Sequence, residues 1–480
     1  MNDNKDVIIG LEVHIQLTAL NTKLFCACSS DYRGKPPNTH TCPICLGLPG
    51  SLPVTNEKAI EFATRLALAL NCNINKRFYF FRKNYYYPDL PKGFQISQYN
   101  KAGGKAFADG GIIEIEVDGN KKEIKLNRIH LEEDPARIVH EGSIATSPYA
   151  LIDYNRSGTT LIEVVSEPDM KTPAEAREYL KQLMSIVQYT EISDPTLEGA
   201  FRVDANISIE GHDRSEVKNI NSIKEVESAL VHEIKRQKLE IKRGKKLVQE
   251  TRHWDGEKTI SLRSKEFEAD YRYFPEQDLV PFEMSEEFIE KIRKELPEMP
   301  KERKLRYQEK YQLSEFDAGI LVIDKNIADF FEEGIKLEKS FGIEEYKLYC
   351  NWVMNQVSRW LNENNKNITE TLLKPQQLVD IIKAINNKII SIKIANSFIE
   401  EMMKGTAISD IIKKTGKKLI SDDKELEKLC REVIEENPET VEAYKKKPKA
   451  IQNLIGGVMK KTRGQADPEI TEEIFRRLLN

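Results

Sequence analysis

The sequence predicts an α+β fold: an N-terminal part built on an antiparallel sheet, then an all-helical part and a small helical tail. Three observations carry this reading. From the N-terminus to about Pro281 the apolar residues mostly alternate with period two, as strands with one buried face require. Short amphipathic helices with recognisable starts interrupt that stretch. From Ser285 onward the strand signal fades, and helix-period segments such as LYCNWVMNQVSRWL and KPQQLVDIIKAI follow one another to the end. A length of 480 residues suits about three domains. Composition shifts place them at 1–293, 294–405 and 406–480.

In chain order, GLEVHIQL (10–17) predicts the first strand, with Leu11, Val13, Ile15 and Leu17 on one face and Glu12, His14 and Gln16 on the other. A helix is expected from Thr55 or Asn56 through Ile60, Ala63, Ala67 and Leu70. NRIHLEED predicts a strand in which His130 and Glu132 oppose Ile129 and Leu131, with Glu133 and Asp134 at its end. In ALIDYNRSGTTLIEVVSEPD, Asp153 and Asn155 share a face and Glu163 stands in an otherwise apolar strand. Thr172 and Glu175 form a capping box around Pro173, opening a helix with Ala176, Leu180, Leu183 and Val187 on one stripe. FRVDANISIE sets Val203, Ala205, Ile207 and Ile209 against Arg202, Asp204, Asn206 and Ser208. Ser222 with Glu225 starts another helix, which Gly244 fits to end.

Composition excludes several classes. With 31% charged and 40% hydrophobic residues, 24 Gly and 20 Pro, the chain is not collagen-like, a bare coiled coil or a Pro/Gly-rich disordered polymer. No window approaches the ~18 consecutive apolar residues that span a bilayer. The opening MNDNKDVIIGLEVH is acidic and polar rather than a leader, and a cytoplasmic location is expected. Seven cysteines, four of them within twenty positions, suit metal ligation in a reducing compartment better than a disulfide framework. The net charge of -4 hides a gradient: residues 411–480 carry sixteen Lys/Arg against thirteen Asp/Glu. Within that tail, 443–466 holds Lys445, Lys446, Lys447, Lys449, Lys460, Lys461 and Arg463 and no acid, a patch able to face phosphates.

Cys26 and Cys28, then Cys42 and Cys45 in TCPICLG, give C-x-C…C-x-x-C, a spacing suited to tetrahedral Zn²⁺ in a closed, structural site, with His40 a spare candidate. An acid and an imidazole two apart on one strand face can share a metal ion, although a single such pair is common on half-exposed strands. Here the pattern recurs on several strands. If these pair in one sheet, their polar rows form an open acidic face opposite a greasy one packed on helices. Hard oxygen ligands suit Mg²⁺, the companion of nucleotide phosphates, and point to phosphoryl transfer. Arg82, Lys83 and Lys92, flanking Tyr85, Tyr86 and Tyr87, are candidates for phosphate contacts. Asp153, Asn155, Arg202, Asp204 and Asn206 complete the expected nucleotide-binding set. No Walker A loop, G-x-G-x-x-G, kinase motif or G-x-S-x-G is present, so any ATP site has another design and any amide hydrolysis belongs to another chain.

VIIGLEVHIQL, THTCPICLGLPGSLPV, RKNYYYPDLPKGFQISQY, IHLEED, DYNRSG, LIEVVSEPD, EVKNINS and DYRYFPEQDL, in this order, resemble the B subunits of the glutamyl-/aspartyl-tRNA amidotransferases, the GatB family. The likeness runs through the tail, where KAIQNLIGGVMKKTRGQADP resembles YqeY-type domains. It implies a cradle domain similar to the glutamine synthetase catalytic sheet, ATP with Mg²⁺, and a structural Zn²⁺. It also implies a ligase reaction in a three-subunit complex: phosphorylation of the side-chain carboxylate of Glu-tRNA(Gln) or Asp-tRNA(Asn), then transamidation with ammonia. The ammonia comes from glutamine hydrolysed on the amidase subunit, and a small third subunit joins the two. The family's metal motif falls on Glu12, His14, one or both of Glu132 and Glu133, and Glu163. Parity favours Glu132, but a bend before Pro135 would turn Glu133 inward, so both stay open. Lys83 joins this catalytic set, and the basic tail is expected to grip tRNA.

Two departures stand out. Thr160 replaces a usual proline in G-x-P-L-I-E, although Glu163 is kept, and LEGAFRVD (197–204) departs from E-E-G-S-L-R-C-D on its apolar face while keeping the polar row. The alternative reading is a non-catalytic, zinc-stapled tRNA-binding scaffold of the same fold. Clustered acids on an anionic domain facing an anionic partner argue against it, because their repulsion serves nothing without a cation.

Overall fold

A computed structural model of the chain describes residues 6–140, 147–220, 222–264, 268–420, 422–462 and 464–479. It divides into two compact units, 1–300 and 301–480.

The first unit is built on a ten-stranded sheet. Its centre holds β1 (Val7–Gln16), β2 (Asn120–Glu133), β3 (Thr160–Ser166) and β4 (Phe201–Ile209), in the order β4-β1-β3-β2. Strict alternation in β1 puts Ile9, Leu11, Val13 and Ile15 at 0–1% exposure on one face. That face packs against α1 (Glu57–Ala69), α2 (Pro173–Thr190) and α3 (Ile223–Lys242) in a single core. Each helix begins where a cap satisfies its first free N–H groups. Asn56 Oδ1 accepts from Lys58 and Ala59, Thr172 Oγ1 from Glu175, and Ser222 Oγ from Glu225. The Glu175 carboxylate accepts from the Lys171 N–H at 2.7 Å, so the expected box closes one residue early. Gly244, at φ +75°, ends α3 where a left-handed residue is needed.

The expectation of a purely antiparallel sheet needs correcting. Ser215–Ile220 and Glu250–Trp254 run parallel. The cause is α3, which carries the chain from one end of the sheet back to the other as a helical crossover does. A separate three-stranded sheet brings together Phe274–Pro275, Phe81–Asn84 and Phe94–Ser97. Helix Glu286–Glu295 buries Ile289 and Ile292 in the core of this first unit.

In the second unit helices follow one another from Lys301 to Leu479, around two hydrophobic clusters, one from Tyr307 to Ile411 and one from Leu426 to Phe475. Among the described residues no helix is long and apolar enough to cross a membrane.

Candidate active site on the polar face of the sheet

Antiparallel register sets the site. His14 stands opposite Arg202 of β4 on one side and Glu163 of β3 on the other, and Glu163 stands opposite His130 of β2. Four polar side chains therefore form one row across four strands. Glu12 lies opposite Asp204, two residues along the same face. The acids converge on His14, whose Nε2 is 3.6 Å from Glu12 Oε1, 3.6 Å from Glu132 Oε1 and 3.8 Å from Glu163 Oε2. Two triads, His14/Glu132/Glu163 and Glu12/His14/Asp204, have ligand atoms close enough to share an ion. Three carboxylates meeting at one imidazole make a donor set of hard oxygens that suits Mg²⁺.

Glu132 and Glu133 part ways. The Glu132 carboxylate accepts from Ser97 Oγ at 2.8 Å and otherwise faces His14. Burial, and then the nearby Glu163, push its carboxyl above the usual range. Glu133 turns to the opposite side, where Lys92 Nζ donates to its oxygens at 2.5 and 2.6 Å and the Ile96 N–H donates at 2.8 Å. The bend before Pro135 does not bring it among the acids.

Other expected residues separate likewise. Lys83 lies 5.0 Å from the Tyr271 ring centre and 5.8 Å from that of Tyr85, within the field of Glu132. Arg82, its neighbour on a strand, faces the other way. It forms a two-pronged pair with the buried Glu276 at 2.7 Å, reaches Asp278 at 3.1 Å and stacks on Phe94 at 4.3 Å, so Nε and one terminal nitrogen are committed to the fold. Tyr86 is 78% exposed, whereas Tyr85 is packed beside Tyr271. Asp153 and Asn155 also lie away from the acidic row. Asp153 Oδ1 accepts from the Asn38 N–H at 3.0 Å, Asn155 Oδ1 accepts from the His40 N–H at 2.7 Å, and Asn155 Nδ2 donates to the Pro36 carbonyl at 2.8 Å. The strand that ends at Asp153 pairs with Arg137–His140 outside the main sheet, and the two residues fasten the loop that leads to the cysteines. Arg202, Asp204 and Asn206 do lie on the polar face, with Asp204 paired to Lys218 at 2.9 Å.

Cys26, Cys28, Cys42 and Cys45 bring their sulfurs together closely enough to hold one ion. The Cys42 N–H donates to Cys45 Sγ at 3.2 Å, the arrangement of a knuckle turn. The contact with Cys26 and the charge of buried Lys23, 3.6 Å from Cys45 Sγ, pull the Cys45 thiol down, whereas the same contact pushes Cys26 up and burial pushes Cys28 up to about 11. Without an ion the cluster therefore favours one thiolate, and a bound cation would have to displace the protons of the others. His40 is not one of the group. Its Nδ1 pairs with Thr39 Oγ1 at 3.1 Å.

In the tail, Lys447, Lys449 and Lys460 are exposed or half-exposed. Lys461 is instead held by Glu436 at 2.7 Å and Glu432 at 3.2 Å, so it is less available than the acid-free sequence suggested. The side chains of Lys445 and Lys446, and all of Arg463, lie outside the described residues.

Sequence reasoning left His130, Arg128, Asp134 and Lys218 out of the site. His130 carried a signal, its parity with Glu132. Its Nε2 meets Asn100 Oδ1 at 2.5 Å and its Nδ1 lies 3.5 Å from Glu163 Oε1, while Arg128 reaches Glu163 at 3.1 Å. Burial, with Arg128 adding to it, keeps His130 well below the usual imidazole range and therefore neutral. Asp134 and Lys218 gave no local signal.

Residues 7–290 match the GatB/GatE catalytic domain, and residues 329–479 match the GatB domain. The chain belongs to the GatB family. It is 49% identical to the B subunit of an aspartyl/glutamyl-tRNA(Asn/Gln) amidotransferase from Sulfolobus acidocaldarius, over 98% of this chain and 99% of that one. The corresponding B subunits of Carboxydothermus hydrogenoformans and Thermotoga maritima are 47% and 46% identical, over 98% of either chain. This GatB-family chain is thus one subunit of a tRNA-dependent amidotransferase, a ligase of protein biosynthesis, as the ordered motifs implied.

Proposed function

We propose that the polar face of the sheet is the kinase and transamidation site of the amidotransferase, a cradle of the glutamine synthetase kind. There ATP phosphorylates the side-chain carboxylate of glutamate or aspartate misattached to tRNA(Gln) or tRNA(Asn). A carboxylate oxygen attacks the γ-phosphorus, the bond to the β-phosphate oxygen breaks, and ADP leaves. Ammonia then attacks the acyl carbon and phosphate departs, leaving glutaminyl-tRNA(Gln) or asparaginyl-tRNA(Asn). The ammonia comes from glutamine hydrolysed on the amidase subunit, with the small third subunit joining the complex in the cytoplasm.

The observation that carries this reading is the convergence of Glu12, Glu132 and Glu163 on His14 across three adjacent strands. His14, Glu132 and Glu163, with Glu12 and Asp204 beside them, are the residues that would hold Mg²⁺. When bound, Mg²⁺ supplies neutralisation of the phosphate charge. Ser97 Oγ donates to Glu132, the Arg128 guanidinium lies beside Glu163, and Lys83 offers a cation beside Glu132 for anionic oxygens. The four cysteines would hold Zn²⁺ as a structural staple. The working parts follow the sequence divisions: the cradle in 1–293, a helical part in 294–405, and a tail in 406–480 whose exposed lysines grip tRNA phosphates.

The test is ATP hydrolysis by the complex with the amidase and small subunits, with and without misacylated tRNA, comparing wild type with Glu12→Gln. Stimulation by misacylated tRNA that disappears in the variant, while glutaminase activity persists, is the expected result. No stimulation in the wild type overturns the reading.

A further inference from the structure

Asp134 follows the last residue of β2, and its main chain is pinned on both sides: its N–H donates to the Thr159 carbonyl at 2.8 Å, and its carbonyl accepts from the Gly158 N–H at 2.9 Å. Its side chain is 1% exposed and accepts at Oδ2 from an Arg202 terminal nitrogen at 2.8 Å. Arg156 Nε lies 3.6 Å from the same oxygen, but that guanidinium donates to the carbonyls of Pro135 at 3.0 Å and Ala136 at 2.7 Å. Arg202 has a different situation. Its Nε is buried with no acceptor among the described residues, and the residue stands directly across from His14 at the edge of the acidic row. A buried N–H without a partner is costly, and a guanidinium fork matches the paired oxygens of a phosphoryl group. Asp204, on the same strand face, is already paired with Lys218, so it leaves Arg202 to Asp134.

We infer that Asp134 is a positioning residue that holds Arg202 beside the metal-binding acids, so that the donors Asp134 leaves free take the oxygens of the phosphoryl group in transfer. This role rests on the kinase reading above. Without this anchor a long arginine would fall onto Glu12 or Asp204 and neutralise the acids meant for a cation. A rigid carboxylate at the end of a sheet strand prevents that.

The experiment is misacylated-tRNA-stimulated ATP hydrolysis by the complex with the amidase and small subunits. Arg202→Ala lowers it by about 10²-fold or more, as loss of a preorganised charge donor does. Arg202→Lys remains impaired, because a point charge does not replace the fork. Guanidinium added in solution restores part of the rate in Arg202→Ala but not in Arg202→Ala/Asp134→Asn, where its anchor is gone. Rescue to the same extent in both, or in neither, overturns the inference, since a merely structural pair gives no anchored rescue. If the wild type shows no tRNA-stimulated hydrolysis, the kinase reading itself has failed, which is a distinct outcome.

Discussion

Replacing Lys92 by Met tests whether Glu133 belongs to the frame of the site or to its reacting face. Lys92 Nζ lies 2.5 and 2.6 Å from the two Glu133 oxygens, and the side chains are 11% and 5% exposed. At an effective dielectric of about 20, unit charges this close attract by roughly 6 kcal/mol, much of it offset by lost hydration. Lys92→Met leaves a buried carboxylate with the Ile96 N–H as its remaining donor from this set, and an uncompensated buried charge costs about 3–5 kcal/mol. At ~2.1 cal/mol/K of unfolding entropy per residue, a unit the size of 1–300 shifts by roughly 1.6 °C per kcal/mol, so the midpoint should fall by about 5–8 °C. Lys92→Met combined with Glu133→Gln leaves no bare charge and should recover most of that loss. Thermal unfolding by near-UV circular dichroism gives the cycle, and the Mg²⁺ dependence of tRNA-stimulated ATP hydrolysis gives the functional arm. Glu133→Gln should leave the Mg²⁺ requirement unchanged while Glu132→Gln raises it. Single effects that simply add in the double variant to within about 0.5 kcal/mol would refute the pairing argument. So would a Mg²⁺ requirement that Glu133→Gln alters as strongly as Glu132→Gln does.

Two further outcomes follow. In the helical unit, Glu332 accepts from Arg303 at 3.0 Å and is paired with Arg306, so Glu332→Gln should cost about 3 kcal/mol of stability at neutral pH. Burial alone would raise its carboxyl, but Arg306 and Arg303 outweigh burial and hold it at about 2; a depressed carboxyl stabilises above the unfolded value, so the gap between wild type and variant in thermal unfolding should shrink as pH falls from about 4.5 toward 2. In the tail, Lys447→Ala/Lys449→Ala/Lys460→Ala should weaken tRNA binding and lower the salt slope by ~0.7–0.9 for each phosphate no longer neutralised, whereas Lys461→Ala, already paired with Glu432 and Glu436, should change the slope less; filter binding across salt concentrations reads both.

What the sequence made legible was parity. A period of two fixes which side chains share a face, so Glu12 with His14 and Arg202 with Asp204 could each be read as one polar row, and the pairing of the two strands then set them opposite one another. The cysteine knuckle was legible for a similar local reason, since C-x-x-C in a Pro/Gly turn closes on itself. Parity also contained a warning: Arg82 and Lys83 are adjacent on one strand and so cannot both face a ligand. Which of them is free depended on Glu276, 194 residues away from Arg82.

The remaining misplacements share that cause. Asp153 and Asn155 do act from one stretch of chain, but that stretch pairs with Arg137–His140 rather than with the main sheet, and so their polar groups serve the cysteine loop. Lys461 sits in an acid-free segment, yet its partners come from the helix Asp423–Glu436. The parallel pairing of Ser215–Ile220 with Glu250–Trp254 depends on how a whole helix crosses over, which no alternation within either strand encodes. A charge is available for chemistry only when no distant partner has taken it. Local pattern decides direction and tertiary pairing decides availability: the fold commits Glu133 to Lys92, and around His14 it turns Glu12, Glu132 and Glu163 toward one imidazole, with Arg128 beside Glu163 as the partner a bound cation would compete with.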